Sequence, residues 1–353
     1  MARHLLNLLL VSSLTSTVFS VPSSSISDSL PAFRWNLLAT NSAQQFRGLS
    51  PVSADIAWVA GTNGTVLRTS NGGQTWQSVG PSDGGNLEFR DVQAFSESKA
   101  VILSIGEGNA SRIYNTDDGG ATWNLAFTNA DASAFYDCMA FDTPRHGLAV
   151  SDPVDGKFRI LETVDGGASW AIVDPAGMPP ALSGEFGFAA SGTCIATAAE
   201  RWYLASGGVD PSRIFRSLDG GHNWEVTNSA VAGGDSAGVY SLSFSDARHG
   251  IAVGGDYTVP NGTVRTSAWS KDGGVTWHSS DVYPGGYRSG SSWIPGMCPY
   301  AIAVGPTGSD MTPDGGKTWK SFDNGTYDSV VCVGHAVCWA SGTKGRVAKL
   351  VIG

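Results

Sequence analysis

The chain predicts an all-β fold: a seven-bladed β-propeller of four-stranded antiparallel blades, closed by an N-terminal strand that completes the last blade. Three observations carry this prediction. A motif of the form Ser/Thr-x-Asp/Asn-Gly-Gly-x-Ser/Thr/Asn-Trp occurs six times, at Thr69–Trp76, Thr116–Trp123, Thr163–Trp170, Ser217–Trp224, Ser270–Trp277 and Thr312–Trp319. It recurs about every 40 to 55 residues, the period of one blade in a radial repeat. Between the copies run short alternating apolar segments broken by Gly-rich turns, a strand pattern that leaves almost no room for helix.

Residues 1–20 read as a secretory signal peptide: a short basic start, the apolar run Leu5–Val11, and small residues before Val21. That run is far shorter than the ~20 residues a membrane span needs, so no span is expected. Residues 21–32 form a Ser- and Pro-rich linker, and 33–353 a single propeller. Inner strands are expected to start near Phe46, Phe89, Phe135, Phe186, Tyr240, Tyr287 and Tyr327, seven starts against six motifs. The last repeat ends at Arg346–Ile352 without a corner. Its missing outer strand is at the other terminus, because Arg34-Trp-Asn-Leu-Leu-Ala39 mirrors the outer strand Thr122-Trp-Asn-Leu-Ala-Phe127. Closure of this kind removes an open sheet edge.

In each motif the acidic or amide residue (Asn71, Asp118, Asp165, Asp219, Asp272, Asp314) suits a tight corner, since it bonds backbone N–H groups two residues on while the paired glycines take positive φ. These residues are therefore structural corners and not catalytic acids. Such corners resemble the Asp-box, or BNR, repeats of sialidase-like and sortilin-like propellers. With Arg145-His-Gly-Leu-Ala-Val150, Arg248-His-Gly-Ile-Ala-Val253 and Gly64–Trp76, the repeat more closely resembles the photosystem II stability/assembly factor-like family of seven-bladed propellers. That resemblance implies the fold and, by itself, an assembly scaffold that binds a protein partner.

A net charge of −9 argues against nucleic acid, which requires clustered Lys and Arg. Five cysteines, Cys138, Cys194, Cys298, Cys332 and Cys338, contain no CxxC pair, so neither zinc nor thiol-redox chemistry is expected. Cys332 and Cys338 flank a short turn and suit a disulfide, and the odd count leaves at least one thiol over. Sequons at Asn63, Asn109, Asn261 and Asn324, with the leader, predict a secreted, extracellular, glycosylated monomer. No cofactor is implied: there is no GxGxxG unit or haem motif, and the histidines fall in first-hairpin turns or near the corners.

In this topology the corners and the first hairpin turns share one face. The second turns and the blade-to-blade connections share the other, where an axial ligand would bind. There the inner-strand starts supply Arg47, Arg90, Tyr136 with Asp137, Glu185, Tyr240, Arg288, and Tyr327 with Asp328. Arg47, Arg90 and Arg288 suit a fork-like anion site for a carboxylate, unless each instead bonds a neighbouring blade's Asp or carbonyl. Resemblance to sialidases implies catalysis by Tyr240 as nucleophile with Glu185 and Asp137. The chain departs from that pattern in its seven blades, in the spread of its arginines, and in Phe46-Arg-Gly-Leu49 where the family has Phe-Arg-Ile-Pro. Asp152 and Asp155 suit a capped turn salt-linked to an inner-ring arginine, or a sparse calcium loop. Three functions follow: a binding module for an acidic glycan or protein segment, a sialidase-like glycosidase or uronate lyase, and an assembly scaffold.

Overall fold

A computed structural model describes residues 31–353; the signal peptide and nearly all of the linker read from the sequence lie outside the described residues. Seven sheets, each of four antiparallel strands, are ranged around an axis. Their inner strands are Phe46–Pro51, Glu88–Ala94, Tyr136–Phe141, Ile195–Ala198, Ala237–Phe244, Gly290–Trp293 and Ser329–Val333, which number blades 1 to 7. Six start within a few residues of the expected positions. Blade 4 starts nine residues after Phe186, because Phe186 makes only an isolated bridge to Gly207 before the chain crosses the axis. Helix among the described residues is confined to two single 3₁₀ turns, Gly108–Ala110 and Pro175–Gly177.

The N-terminal strand Phe33–Leu38 pairs antiparallel with the final strand Val347–Ile352 over six residue pairs, and so supplies the outer strand of blade 7. Trp35 secures it from within: its indole N–H donates to Ser309 Oγ of blade 6 at 2.9 Å, and its ring packs 5.5 Å from that of Tyr327.

The six corners share three hydrogen bonds, and the fourth runs to the Asp from the side chain of the residue four positions on in every copy but the first, where Asn71 Nδ2 donates to the Thr75 hydroxyl at 2.8 Å. In the third corner, the Thr163 hydroxyl donates to Asp165 Oδ1 at 2.8 Å and accepts the Gly167 N–H at 2.9 Å. Asp165 accepts the Ser169 N–H at 3.0 Å and its hydroxyl at 2.6 Å. The side chain thus reaches four residues on, not the two expected for a simple Asx turn, and it ties both ends of the glycine pair together. The second glycine has a further reason to lack a side chain. At Gly167 (φ 86°) and Gly221 (φ 95°) a Cβ would stand 2.6 Å from Val101 and 2.3 Å from Leu148, each on the preceding blade. Each corner is therefore a fitting point between blades. The corner tryptophans continue the joint: Trp76 lies edge-on to Trp339 of blade 7 at 6.2 Å, and Trp123 edge-on to Trp58 of blade 1 at 6.3 Å.

Two disulfides are present, Cys332–Cys338 across the first hairpin of blade 7, and Cys138–Cys194 between blades 3 and 4; the free thiol is the exposed Cys298.

Because the N-terminal strand fills the only gap in the ring, deleting residues 33–40 is expected to abolish the cooperative thermal transition. Deleting 21–30 is expected to leave it in place, and circular dichroism melts of both truncations check this.

Candidate functional site

Site side chains are presented by a recurrent irregularity of the inner strands. The ladder to the second strand slips at Phe46/Gly48 in blade 1, Phe89/Asp91 in blade 2, Tyr136/Cys138 in blade 3 and Val239/Ser241 in blade 5. The extra residues are Arg47, Arg90, Asp137 and Tyr240. A β-bulge leaves one residue unpaired and re-aims its side chain, here toward the axis. A fifth slip, on the second strand of blade 3, frees Asp152.

The axis is not an open channel. The connection from blade 3 to blade 4 runs from 173 to 194, and its stretch 186–193 passes through the centre of the ring and contacts six other blades. The Ala189 carbonyl accepts from Arg90 (2.9 Å) and Arg47 (3.5 Å), and the Gly187 N–H donates to Asp152 (2.7 Å). Ser191 donates to the Ser289 carbonyl at 2.6 Å, and its own carbonyl accepts from Ser329 at 3.2 Å. The Thr193 hydroxyl donates to Ser241 (2.8 Å), and its carbonyl accepts the Leu242 N–H (3.0 Å). The Cys138–Cys194 disulfide fixes the far end of this plug.

Above the plug lies a mouth of about 490 Å³. Arg47, Arg90, Asp328 and Gln45 line the side of blades 7, 1 and 2, and Tyr240, Tyr257, Tyr287, Phe186 and Phe188 face them from the side of blades 4 to 6. Phe188 stacks on Tyr240 with ring centroids 3.8 Å apart, and Tyr287 meets Tyr240 edge-on at 4.7 Å. Arg90 is braced by Glu88 at 2.9 Å. Arg47 is less fully engaged: its Nε is buried with no hydrogen-bond partner, and Asp328 stands 3.8 Å away. Burial and the neighbouring Arg47 charge both lower the Arg90 pKa. The two guanidinium groups therefore sit close enough to repel, and an anion between them would relieve that.

Other expected members are elsewhere. Arg288 does not join a fork: it is 1 % exposed and turns back into blade 6, where Nε donates to Asp310 at 2.6 Å and Nη1 to Thr307 and the Tyr287 carbonyl at 2.9 Å. Glu185 is also enclosed. Arg213 grips both of its carboxylate oxygens, and Ser206 and the Leu182 N–H donate to it at 2.6 and 2.8 Å. Tyr136 packs edge-on to Phe127 at 5.3 Å in the core between blades 2 and 3, its pKa pushed up to about 12 by burial. Tyr240 lines the mouth, but its hydroxyl donates to the Ser236 carbonyl at 2.9 Å and burial raises its pKa, the opposite of what a nucleophile needs. The trio Tyr240, Glu185 and Asp137 is thus not assembled around one reacting point.

Asp137 and Asp152 meet against the plug instead, where a Cβ on Gly187 would stand 2.9 Å from Asp137 Oδ2 and 3.7 Å from Asp152 Oδ1. Neither Asp152 nor Asp155 is salt-linked to an arginine, and Asp155 sits at an exposed turn with φ 53°. Burial, reinforced for Asp137 by the Asp152 charge, raises both Asp137 and Asp152, the latter to about 6. Asp91 accepts the Met139 N–H at 2.7 Å but has no ion-pair partner among the described residues, and burial lifts it to about 8. No group of three or more His, Cys, Asp or Glu suited to a metal ion occurs among the described residues. The four sequon asparagines, Asn63, Asn109, Asn261 and Asn324, are exposed, in second turns or a blade connection on the mouth side.

Sequence reasoning missed the plug, Phe188, Tyr257 and Tyr287 as site residues. The signal available was the overlong third connection with its small-residue stretch Gly184–Thr193.

The fold and site define a seven-bladed propeller with a plugged axis and a polar–aromatic mouth. No protein-family model matches the chain, and no curated protein matches it in sequence. Among solved structures it is similar to YCF48 bound to a D1 peptide, at 15 % identity and a TM-score of 0.64 over 90 % of this chain and 94 % of that one. YCF48 from Cyanidioschyzon merolae gives 16 % and 0.63 over 89 % and 98 %. The GH74 xyloglucanase from Xanthomonas campestris gives 16 % and 0.62 over 90 % of this chain and 53 % of that one. At these identities the likeness carries the fold.

Below pH 4 Asp91 and Asp152 are protonated in both folded and unfolded chains. As pH rises from about 4 toward 8 the unfolded chain loses protons the folded one keeps, so stability falls. Corner acids act in the other direction: hydrogen bonds from Thr122 and Thr116 hold Asp118 near 2, and a like set outweighs burial to hold Asp165, Asp219 and Asp272 there. Their contribution is complete above about pH 4 and is lost as pH falls toward 2. Urea midpoints from pH 3 to 8 should therefore peak near 4 to 5, with Asp91→Asn flattening the alkaline limb. Arg288→Ala strands the buried Asp310 charge and should cost about 3–5 kcal/mol, whereas Arg47→Gln should cost far less by the same denaturation measurement.

Proposed function

We propose that this chain is a secreted binding propeller whose mouth takes an acidic segment of a partner protein. The observation that carries the reading is the pair Arg47 and Arg90, held together on one plug carbonyl with Arg47 Nε unpartnered. A carboxylate suits guanidinium donors in this arrangement. Asp328 and Asp235 also line the mouth, so a densely charged acidic glycan would meet repulsion that a peptide with a single carboxylate avoids. The solved YCF48 complex with a D1 peptide supports a protein partner for a propeller of this shape. The two disulfides and the exposed sequon asparagines support an oxidising, secretory route. The dispersal of Tyr240, Glu185 and Asp137 favours binding over glycoside cleavage.

The test is retention and turnover on one panel: acidic and amide-substituted peptides beside sialylated and uronic-acid glycans, with products followed by mass spectrometry. Acidic peptides should be retained intact and lost with Arg47→Gln/Arg90→Gln. Release of a sugar or an unsaturated uronate would replace this reading with an enzyme, and absence of retention by the folded protein would end it.

A further inference from the structure

Opposite the arginines the mouth is apolar in a way that an acid-binding site does not require. Phe186, Phe188, Tyr240 and Tyr287 form one packed cluster, and Tyr257 extends it outward from the second turn of blade 5. Tyr257 is 55 % exposed, and on the same loop Val259 and Val264 are 56 % and 73 % exposed. Of these Tyr257 lines the mouth itself, and an exposed aromatic group at the rim of a pocket marks a recognition surface. The two sides bound a single mouth, which Arg47, Arg90, Tyr240 and Tyr287 line together. A single carboxylate at the arginines would leave the aromatic side wet.

Building on the proposed function, we infer that the mouth recognises a protein segment in which an acidic residue adjoins a large aromatic or aliphatic one. The acid pairs with Arg47 and Arg90; its neighbour lies against Phe186, Tyr240 and Tyr287, with Tyr257 covering its outer face. Two adjacent side chains of an extended segment suit a mouth of about 490 Å³. Tyr257 is thus the specificity residue. Its side chain is 55 % exposed and makes no side-chain hydrogen bond among the described residues, and the backbone bond from its N–H to the Ser236 carbonyl stays in place when the side chain is truncated.

The test uses the full secreted protein and fluorescent, N-acetylated, C-amidated hexapeptides whose central pair is Trp–Glu, Glu–Trp, Ala–Glu, Trp–Gln or Ala–Gln, read by anisotropy. At least one order of the Trp/Glu pair should bind tenfold or more tighter than Ala–Glu and Trp–Gln. Tyr257→Ala should weaken that peptide severalfold and Ala–Glu by a clearly smaller factor. Equal binding of Ala–Glu and the Trp/Glu peptides overturns the apolar requirement and leaves acid recognition standing. Equal binding of Trp–Gln overturns the acid requirement, and with it the proposed function. Failure of every peptide to bind the folded protein removes both.

Discussion

Closure of the ring is the constraint on which the rest of the molecule depends. All seven wedge-shaped sheets have their four strands only if the first strand of the fold joins the last, and Phe33–Leu38 does so against Val347–Ile352. This explains why six corner motifs serve seven blades. A corner links the third and outer strands of one blade covalently, and blade 7 makes that junction by hydrogen bonds between the two ends of the chain. Once closed, each corner glycine leans on the preceding blade, and so the corners hold the wedge angle. The angle in turn sets the width of the axis, which a single extended segment fills.

That segment meets charged groups of both signs. Asp91, Asp137 and Asp152 are buried against it with raised pKa values. Above it the arginines face solvent and borrow its Ala189 carbonyl as a common anchor. Buried acids are costly unless neutral, and the close approach of Gly187 and Gly192 to their carboxylates shows how tightly the plug is fitted. The mouth's shape is therefore inherited from a connection between blades, and not from the blades alone.

How much of this was legible in the sequence depended on distance along the chain. The corners, the strand starts and the closing strand are local patterns, and each could be read from a window of about ten residues. The pair Cys332 and Cys338 was legible for the same reason. The fates of the arginines were not. Arg47, Arg90 and Arg288 stand in like contexts, Phe-Arg-Gly, Phe-Arg-Asp and Tyr-Arg-Ser, yet only the third is itself enclosed, hydrogen-bonded to a buried carboxylate, Asp310, brought beside it by the sheet. Glu185 was drawn from the site by Arg213 in the same manner. The Phe186 strand start failed because aromatic periodicity does not distinguish an inner strand from a segment that crosses the axis.

The bulges have a consequence for how such a protein can change. Arg47, Arg90, Asp137 and Tyr240 occupy one equivalent position on four blades, each outside the regular ladder of its sheet. Exchange of a side chain there leaves the neighbouring cross-strand pairs in step. The ring behaves like a combination dial: the scaffold stays fixed, and the settings at these positions rewrite what the molecule recognises.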